Sequence, residues 1–167
     1  MSDILTRSDP VPSQALSGAG VTIRLAPPLA RYSLRARDAG VIEALTGVTA
    51  PAQVGRFVGD LACLGPDEWL WRSAEPRTFS AGEALASVVD VSERSVCLIV
   101  EGHDASRVLA AGCPLDLDRF AVGRVTRTLF ETVEIVLYRT ADHSWQVEVW
   151  RSFAPWLWTA LSAAATH

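Results

Sequence analysis

Lysine is absent from this chain of 167 residues; all 15 basic residues are arginine. That excludes a lysine Schiff base, a catalytic lysine and a phosphate loop closed by lysine. Cysteine is scarce. Cys63, Cys97 and Cys113 lie far apart and none belongs to a C-x-x-C pair, which excludes a zinc site or a thioredoxin-type motif. Each sits beside apolar residues and is expected to be a buried core thiol, as suits a reducing cytoplasm. No apolar run approaches the ~20 residues needed to cross a bilayer. Met1–Arg7 has neither a basic start nor a long apolar core, so no secretory signal and no membrane partner are expected. A strong excess of one charge is also missing. At a net charge of −4, no electrostatic footprint for nucleic acid is expected.

Recognisable chemistry is just as thin. Gly18-Ala19-Gly20 is the one glycine cluster that hints at a dinucleotide fingerprint. It precedes a strand pattern instead of following one, lacks a third glycine, and opens no helix whose N-terminus could take a phosphate. His103, His143 and His167 do not cluster, and no G-x-S-x-G marks a nucleophile. Asp90 lies between valines in a strand pattern and could face a cleft or solvent. Asp116 and Asp118 share one face of an extended segment, opposite Leu115 and Leu117; solvated acids over buried leucines are the simpler reading. No catalytic residue, bound cofactor or metal is expected in this chain.

What is present is enough apolar sequence for a core. A chain this long buries roughly 70% of its unfolded surface. Residues 1–20 read as a tail broken by Asp9-Pro10-Val11-Pro12 and Ser17-Gly18. A first lobe is expected over 21–87 and a second over 88–167, packed as one compact unit. In the first, Val21–Leu25 and Arg31–Arg37 alternate like strands. Asp38 caps a helix that Gly47 ends. Phe57–Leu64 and Glu68–Arg72 flank a Gly65-Pro66-Asp67 turn, and Ser80 with Glu83 forms a capping box for a helix through Leu85. In the second, Val88–Val91 and Val96–Val100 are strands joined across Ser92-Glu93-Arg94. Asp104–Ala111 is a helix stopped by Gly112. Arg124–Phe130, Val133–Arg139 and Ser144–Trp150 form a three-strand run. Ser152 caps a last helix with Pro155 in its first turn. Short helices mixed with hairpin-linked strands give an α+β class with mostly antiparallel sheets.

The C-terminal end is the anomaly. Ser152–Thr166 carries no charged side chain. At 100° per residue, Phe153, Leu157, Ala160, Leu161 and Ala164 form one stripe. Trp156 and Trp158 fall on opposite flanks of it, and Trp150 sits on the polar face of its strand. A helix apolar all round is normally covered. Trp156, Trp158 and Trp150, with Arg151 at the rim, are therefore the candidate interface residues.

Four phrases carry a family resemblance: Cys63-Leu64-Gly65-Pro66-Asp67-Glu68-Trp69-Leu70; Val89-Asp90-Val91-Ser92 leading into Val96–Val100; Gly112-Cys113-Pro114-Leu115-Asp116-Leu117; and Trp150-Arg151-Ser152-Phe153-Ala154-Pro155-Trp156-Leu157-Trp158. Over roughly 21–165 the chain resembles the gamma subunit of heterotetrameric sarcosine oxidase, a small relative of the folate-binding aminomethyltransferase (T-protein) fold. The resemblance implies ferredoxin-like sheet-and-helix units. It also implies a non-catalytic chain that supports assembly of a complex oxidising sarcosine to glycine, with a one-carbon unit and hydrogen peroxide as products. On the same basis the alpha subunit is the expected contact, with beta and delta in the same heterotetramer. FAD, FMN, NAD, zinc and tetrahydrofolate are expected on those other subunits. Two alternatives stand beside it: a sister complex acting on another N-methylated or cyclic amine, and a freestanding folate- or pterin-binding module in which Asp90 or Asp116 would hold the pterin.

Overall fold

A computed structural model describes residues 8–18, 20–79 and 85–166. The expected capping-box helix at Ser80 falls on residues outside these. The rest builds two sheets, and every strand pairing among the described residues is antiparallel. The strands, in chain order, are β1 (Leu16–Gly18), β2 (Val21–Leu25), β3 (Ala30–Ala36), β4 (Arg56–Val58), β5 (Leu61–Gly65), β6 (Glu68–Ser73), β7 (Ala86–Asp90), β8 (Ser95–Glu101), β9 (Val125–Phe130), β10 (Val133–Ala141) and β11 (Ser144–Trp150). The helices are α1 (Ala39–Thr46), α2 (Ala105–Ala110) and α3 (Ala154–Ala165). The larger sheet runs β1-β2-β8-β11-β10-β9, the smaller β4-β5-β6-β3-β7.

Alternation decides which side chains meet. In the larger sheet, Ile23, Leu98, Val100, Ile135, Leu137, Trp145, Val147 and Val149 form a core with Val108, Leu109, Leu157 and Leu161 of α2 and α3. In the smaller sheet, Tyr32, Leu34, Cys63, Trp69 and Trp71 form a second core with Ile42 of α1. The remaining faces of the two sheets meet each other. Ala62, Val125 and Tyr138 pack there with Phe57, Leu64 and Val136. The result is four layers: helix, sheet, sheet, helices.

Local signals explain the elements. Asp38 accepts the Val41 N–H at 3.1 Å and caps α1, and Gly47 closes it in the left-handed region at φ 72°. Gly112 ends the turn after α2 because the Phe130 ring occupies the place of its missing Cβ, with ring carbons 2.6–2.8 Å from that position. Gly20 and Gly102 serve a similar close approach. A Cβ on Gly20 would strike the His103 ring, one on Gly102 the Gly20 carbonyl, and both glycines have positive φ. The glycine cluster is thus a crossing of backbones.

Several elements differ from expectation. Phe57–Leu64 is two short strands, β4 and β5, because Gly59 turns the chain at φ 55°. The stretch expected as a tail contributes β1 and the buried Val11. The strands expected on either side of Ser92-Glu93-Arg94 are both present, in different sheets: β7 pairs with β3 of the smaller sheet, and β8 with β2 and β11 of the larger. The connection therefore crosses from sheet to sheet. The pairing also cuts across the 87/88 division, since β2 lies in the larger sheet and β7 spans the boundary. Ser152 does not cap the last helix. A 3-10 turn over Arg151–Phe153 precedes α3, whose N-cap position is Phe153; the turn redirects the chain as it leaves β11, and Pro155 then starts α3.

Candidate functional site

Charge is concentrated where the sheets meet. Arg31 and Arg72 stand directly opposite each other on β3 and β6, both pointing at the larger sheet. Like charges in that register repel. Glu148, from β11, lies between them. Arg31 donates to it twice, Nε to Oε2 at 2.8 Å and Nη2 to Oε1 at 3.2 Å. Arg72 donates Nη1 to Glu148 Oε1 at 3.5 Å and to Gln146 Oε1 at 2.7 Å, and Nη2 to Asp60 Oδ1 at 3.1 Å. Its guanidinium also lies 4.3 Å from the centre of the Tyr138 ring. Arg31, Arg72 and Glu148 are only 2–3% exposed. Two arginines against Glu148 and Asp60 leave the cluster near neutrality, which burial demands. Beneath it, burial pushes the Cys97 thiol up to about 12. Cys63 is pushed up for the same reason, and neither is poised as a nucleophile.

A second link lies towards one end of the sheets. Glu68 of β6 accepts from Arg127 of β9 at 2.7 and 3.3 Å and lies 3.4 Å from Arg35. The Arg127 hydrogen bond holds its carboxyl below the usual range, aided by the fields of Arg127, Arg35 and Arg94. A slot of about 70 Å³ runs between these links, walled by Arg31, Glu148, Val91, Ser95, Arg94 and Trp150 among others. It has room for a few waters and is far below the several hundred Å³ typical of an organic-ligand pocket.

The carboxylates considered for a pterin do not fit that role. Asp90 is exposed and accepts the Ser92 N–H at 2.9 Å and the Ser92 hydroxyl at 2.6 Å, which lowers its pKa. Asp116 is exposed and pairs with Arg119. Neither faces an enclosed apolar cleft. Asp118 is exposed, while Leu117 is buried opposite. His103 and His143 are exposed, and Cys63, Cys97 and Cys113 are buried free thiols. Among the described residues no three of His, Cys, Asp and Glu are placed to hold a metal ion. No helix is long and apolar enough to cross a membrane.

The candidate interface residues separate into two groups. Trp158 packs partly buried against the larger core. Trp150, Phe153 and Trp156 remain 42%, 45% and 39% exposed. Phe153, expected on the core stripe, instead leans on Trp150 at 6.3 Å because the 3-10 turn rotates it outward. Ala154 and Ala165 take buried places on α3 with Leu157 and Leu161. Trp156 meets the edge of Phe130 at 6.4 Å. Arg151 donates its N–H to the Arg94 carbonyl at 2.9 Å and its Nη2 to the Ser8 carbonyl. Sequence reasoning missed Arg31, Arg72, Glu148 and Arg94. The available signal was charge inside strand patterns, as in Glu68-Trp69-Leu70-Trp71-Arg72 and Gln146-Val147-Glu148-Val149.

The sarcosine oxidase, gamma subunit family matches residues 44–167. The sarcosine oxidase gamma subunit of Corynebacterium sp. strain U-96 is 33% identical over 138 residues, covering 72% of this chain and 67% of that protein. The gamma subunit of an Arthrobacter species is 33% identical over 120 residues, covering 64% and 59%. In structure, the chain is similar to a chain of the heterotetrameric sarcosine oxidase from Corynebacterium sp. U-96 in complex with pyrrole 2-carboxylate. There the TM-score is 0.76 and the identity 29%, over 93% of this chain and 90% of that one. The glycine cleavage system aminomethyltransferase T from Bartonella henselae shares the fold, with TM-score 0.60 and 12% identity over 85% of this chain and 45% of that one.

Proposed function

The chain belongs to the sarcosine oxidase, gamma subunit family, and from that premise we propose that it is a non-catalytic subunit of a heterotetrameric sarcosine oxidase. In this reading the complex oxidises the N-methyl group of sarcosine, releasing glycine, a one-carbon unit and hydrogen peroxide. Redox and one-carbon cofactors sit on the other subunits, and this chain supports assembly by packing on the large alpha subunit. The observation that carries the reading is the near full-length structural likeness to a chain of such a heterotetramer. The chain's own chemistry is consistent with it. Its buried charges are tied to one another across the sheets, and its thiols are buried and free, which suits a reducing cytoplasm. Binding energy is then the currency of this chain, and its exposed aromatic end is where that energy is available.

The test is co-expression with the genomically adjacent large chains, purification through a tag on this chain, and native mass spectrometry. The expected result is a four-chain complex carrying flavin and oxidising sarcosine. Flavin bound to this chain alone, or no larger chain retained, overturns the proposal.

A further inference from the structure

We propose that the end of the larger sheet carrying Trp150, Phe153 and Trp156 docks a segment of the larger partner subunit that presents a carboxylate among apolar side chains, with Arg94 receiving that carboxylate. The inference rests on the subunit reading and deepens it.

The three aromatics are gathered by topology. Trp150 closes β11 opposite Ser95, the first residue of β8, so Arg94 lies beside it. Its guanidinium sits over the indole, 4.7 Å from the ring centre. Phe153 follows in the 3-10 turn, against Trp150. Trp156 begins α3 and reaches Phe130, which ends β9 at the same end of the sheet. Tryptophan and arginine are the residues most enriched among interface anchors, and here they adjoin.

Charge names the partner. Arg31 and Arg72 are tied to Glu148, and Arg35 and Arg127 to Glu68. Arg94 lines the same slot and is exposed, yet it makes no ion pair among the described residues; the indole face is its contact. Arg151 beside it has an Nη1 without a hydrogen-bond partner among the described residues. A guanidinium resting on an indole is oriented but not neutralised, so an incoming carboxylate gains a charge-assisted bond where the aromatic surface is being desolvated. A second copy of this chain fits poorly. A two-fold contact sets the same patch against itself, and the carboxylate it would offer Arg94, Glu93, already has a contact within its own chain.

The experiment uses the co-expressed complex and the full chain. Association with the larger subunit is titrated at low and moderate salt for wild type, Trp150→Ala, Arg94→Glu and Arg94→Lys, and the isolated variants are melted as a fold control. Trp150→Ala and Arg94→Glu are expected to raise Kd at least tenfold, while Arg94→Lys, which keeps the charge and loses the stacked plane, falls between wild type and Arg94→Glu. Salt is expected to weaken the wild type and to have little effect on Arg94→Glu. Arg94 is exposed, so its variants are expected to melt like wild type even if Trp150→Ala does not. If wild type associates with no larger subunit, the subunit reading falls. If wild type associates and Arg94→Glu binds equally well, the carboxylate partner is overturned while the reading stands. Self-association through this face, abolished by Trp150→Ala, also overturns it in favour of a second copy.

Discussion

At the scale of single residues, Glu148 holds the two sheets together by keeping two arginines apart. Its removal leaves Arg31 and Arg72 facing each other with one compensating carboxylate, Asp60, at the edge. Breaking a buried ion pair from one side typically costs 3–5 kcal/mol, whereas replacing the whole set by apolar groups is often near neutral. Glu148→Ala is therefore expected to lose about 3–5 kcal/mol in urea unfolding. The triple change Arg31→Met, Arg72→Met and Glu148→Leu should recover most of it. A triple variant as unstable as Glu148→Ala would show that these charges do more than neutralise one another. Glu68 gives a pH signature. Its folded pKa is lowered, so its contribution is present above the unfolded value of about 4.3 and is lost as pH falls through the folded value. Glu68→Gln is expected to be less stable than wild type by about 1 kcal/mol at pH 7. The gap should close as denaturation is repeated at acid pH, and a gap independent of pH would contradict the assignment.

At the scale of elements, α3 has two functions on one short helix. Leu157 and Leu161 are fully buried in the larger core, and Trp156 stands outside it. Leu157→Ala is expected to destabilise the isolated chain by about 2–5 kcal/mol. Trp156→Ala should change it less, because 39% of that residue stays in water and it lies outside the fully buried stripe of α3. Thermal melts of both variants check this. Equal losses would place Trp156 in the private core of this chain and remove it from the interface. The strands of this region were legible in advance. Period-two alternation located β9, β10 and β11, because one face of each packs on helices. The rotation of Phe153 was not legible, because Ser152 has the chemistry of a cap and nothing local announces the intervening 3-10 turn.

At the scale of the whole molecule, the smaller sheet is a continuous stretch, β3 to β7, inserted between β2 and β8 of the larger sheet, so the larger sheet is the one that must close over a long intervening segment. If the chain is a subunit, a partner that binds only its folded form stabilises it by mass action, by about 2.7 kcal/mol at a partner concentration of 100 Kd. Its melting temperature is accordingly expected to rise with added larger subunit. The rise should shrink in Arg94→Glu, to about 1.4 kcal/mol or less for a Kd at least tenfold higher. A melting point indifferent to the partner would argue against association at this end of the sheet.

The sequence by itself determined the class and much of the local structure. Alternation marked the strands, Asp38 and Gly47 bounded α1, and the uncharged Ser152–Thr166 segment flagged an end needing cover. Its four phrases also identified the family. These are local properties, set by backbone sterics, capping and the period of apolar residues. Only the tertiary structure decided that the polar faces of both sheets are buried against each other. In sequence, Arg31, Arg72 and Glu148 look like solvated strand residues, because alternation gives the same pattern whether the second face meets water or another sheet. It also decided that β7 and β8 part company at Arg94, and that this sets Arg94 on the Trp150 ring with no ion pair among the described residues. Strand partnership is a long-range choice, settled by which faces can be covered together, and no window of residues contains it.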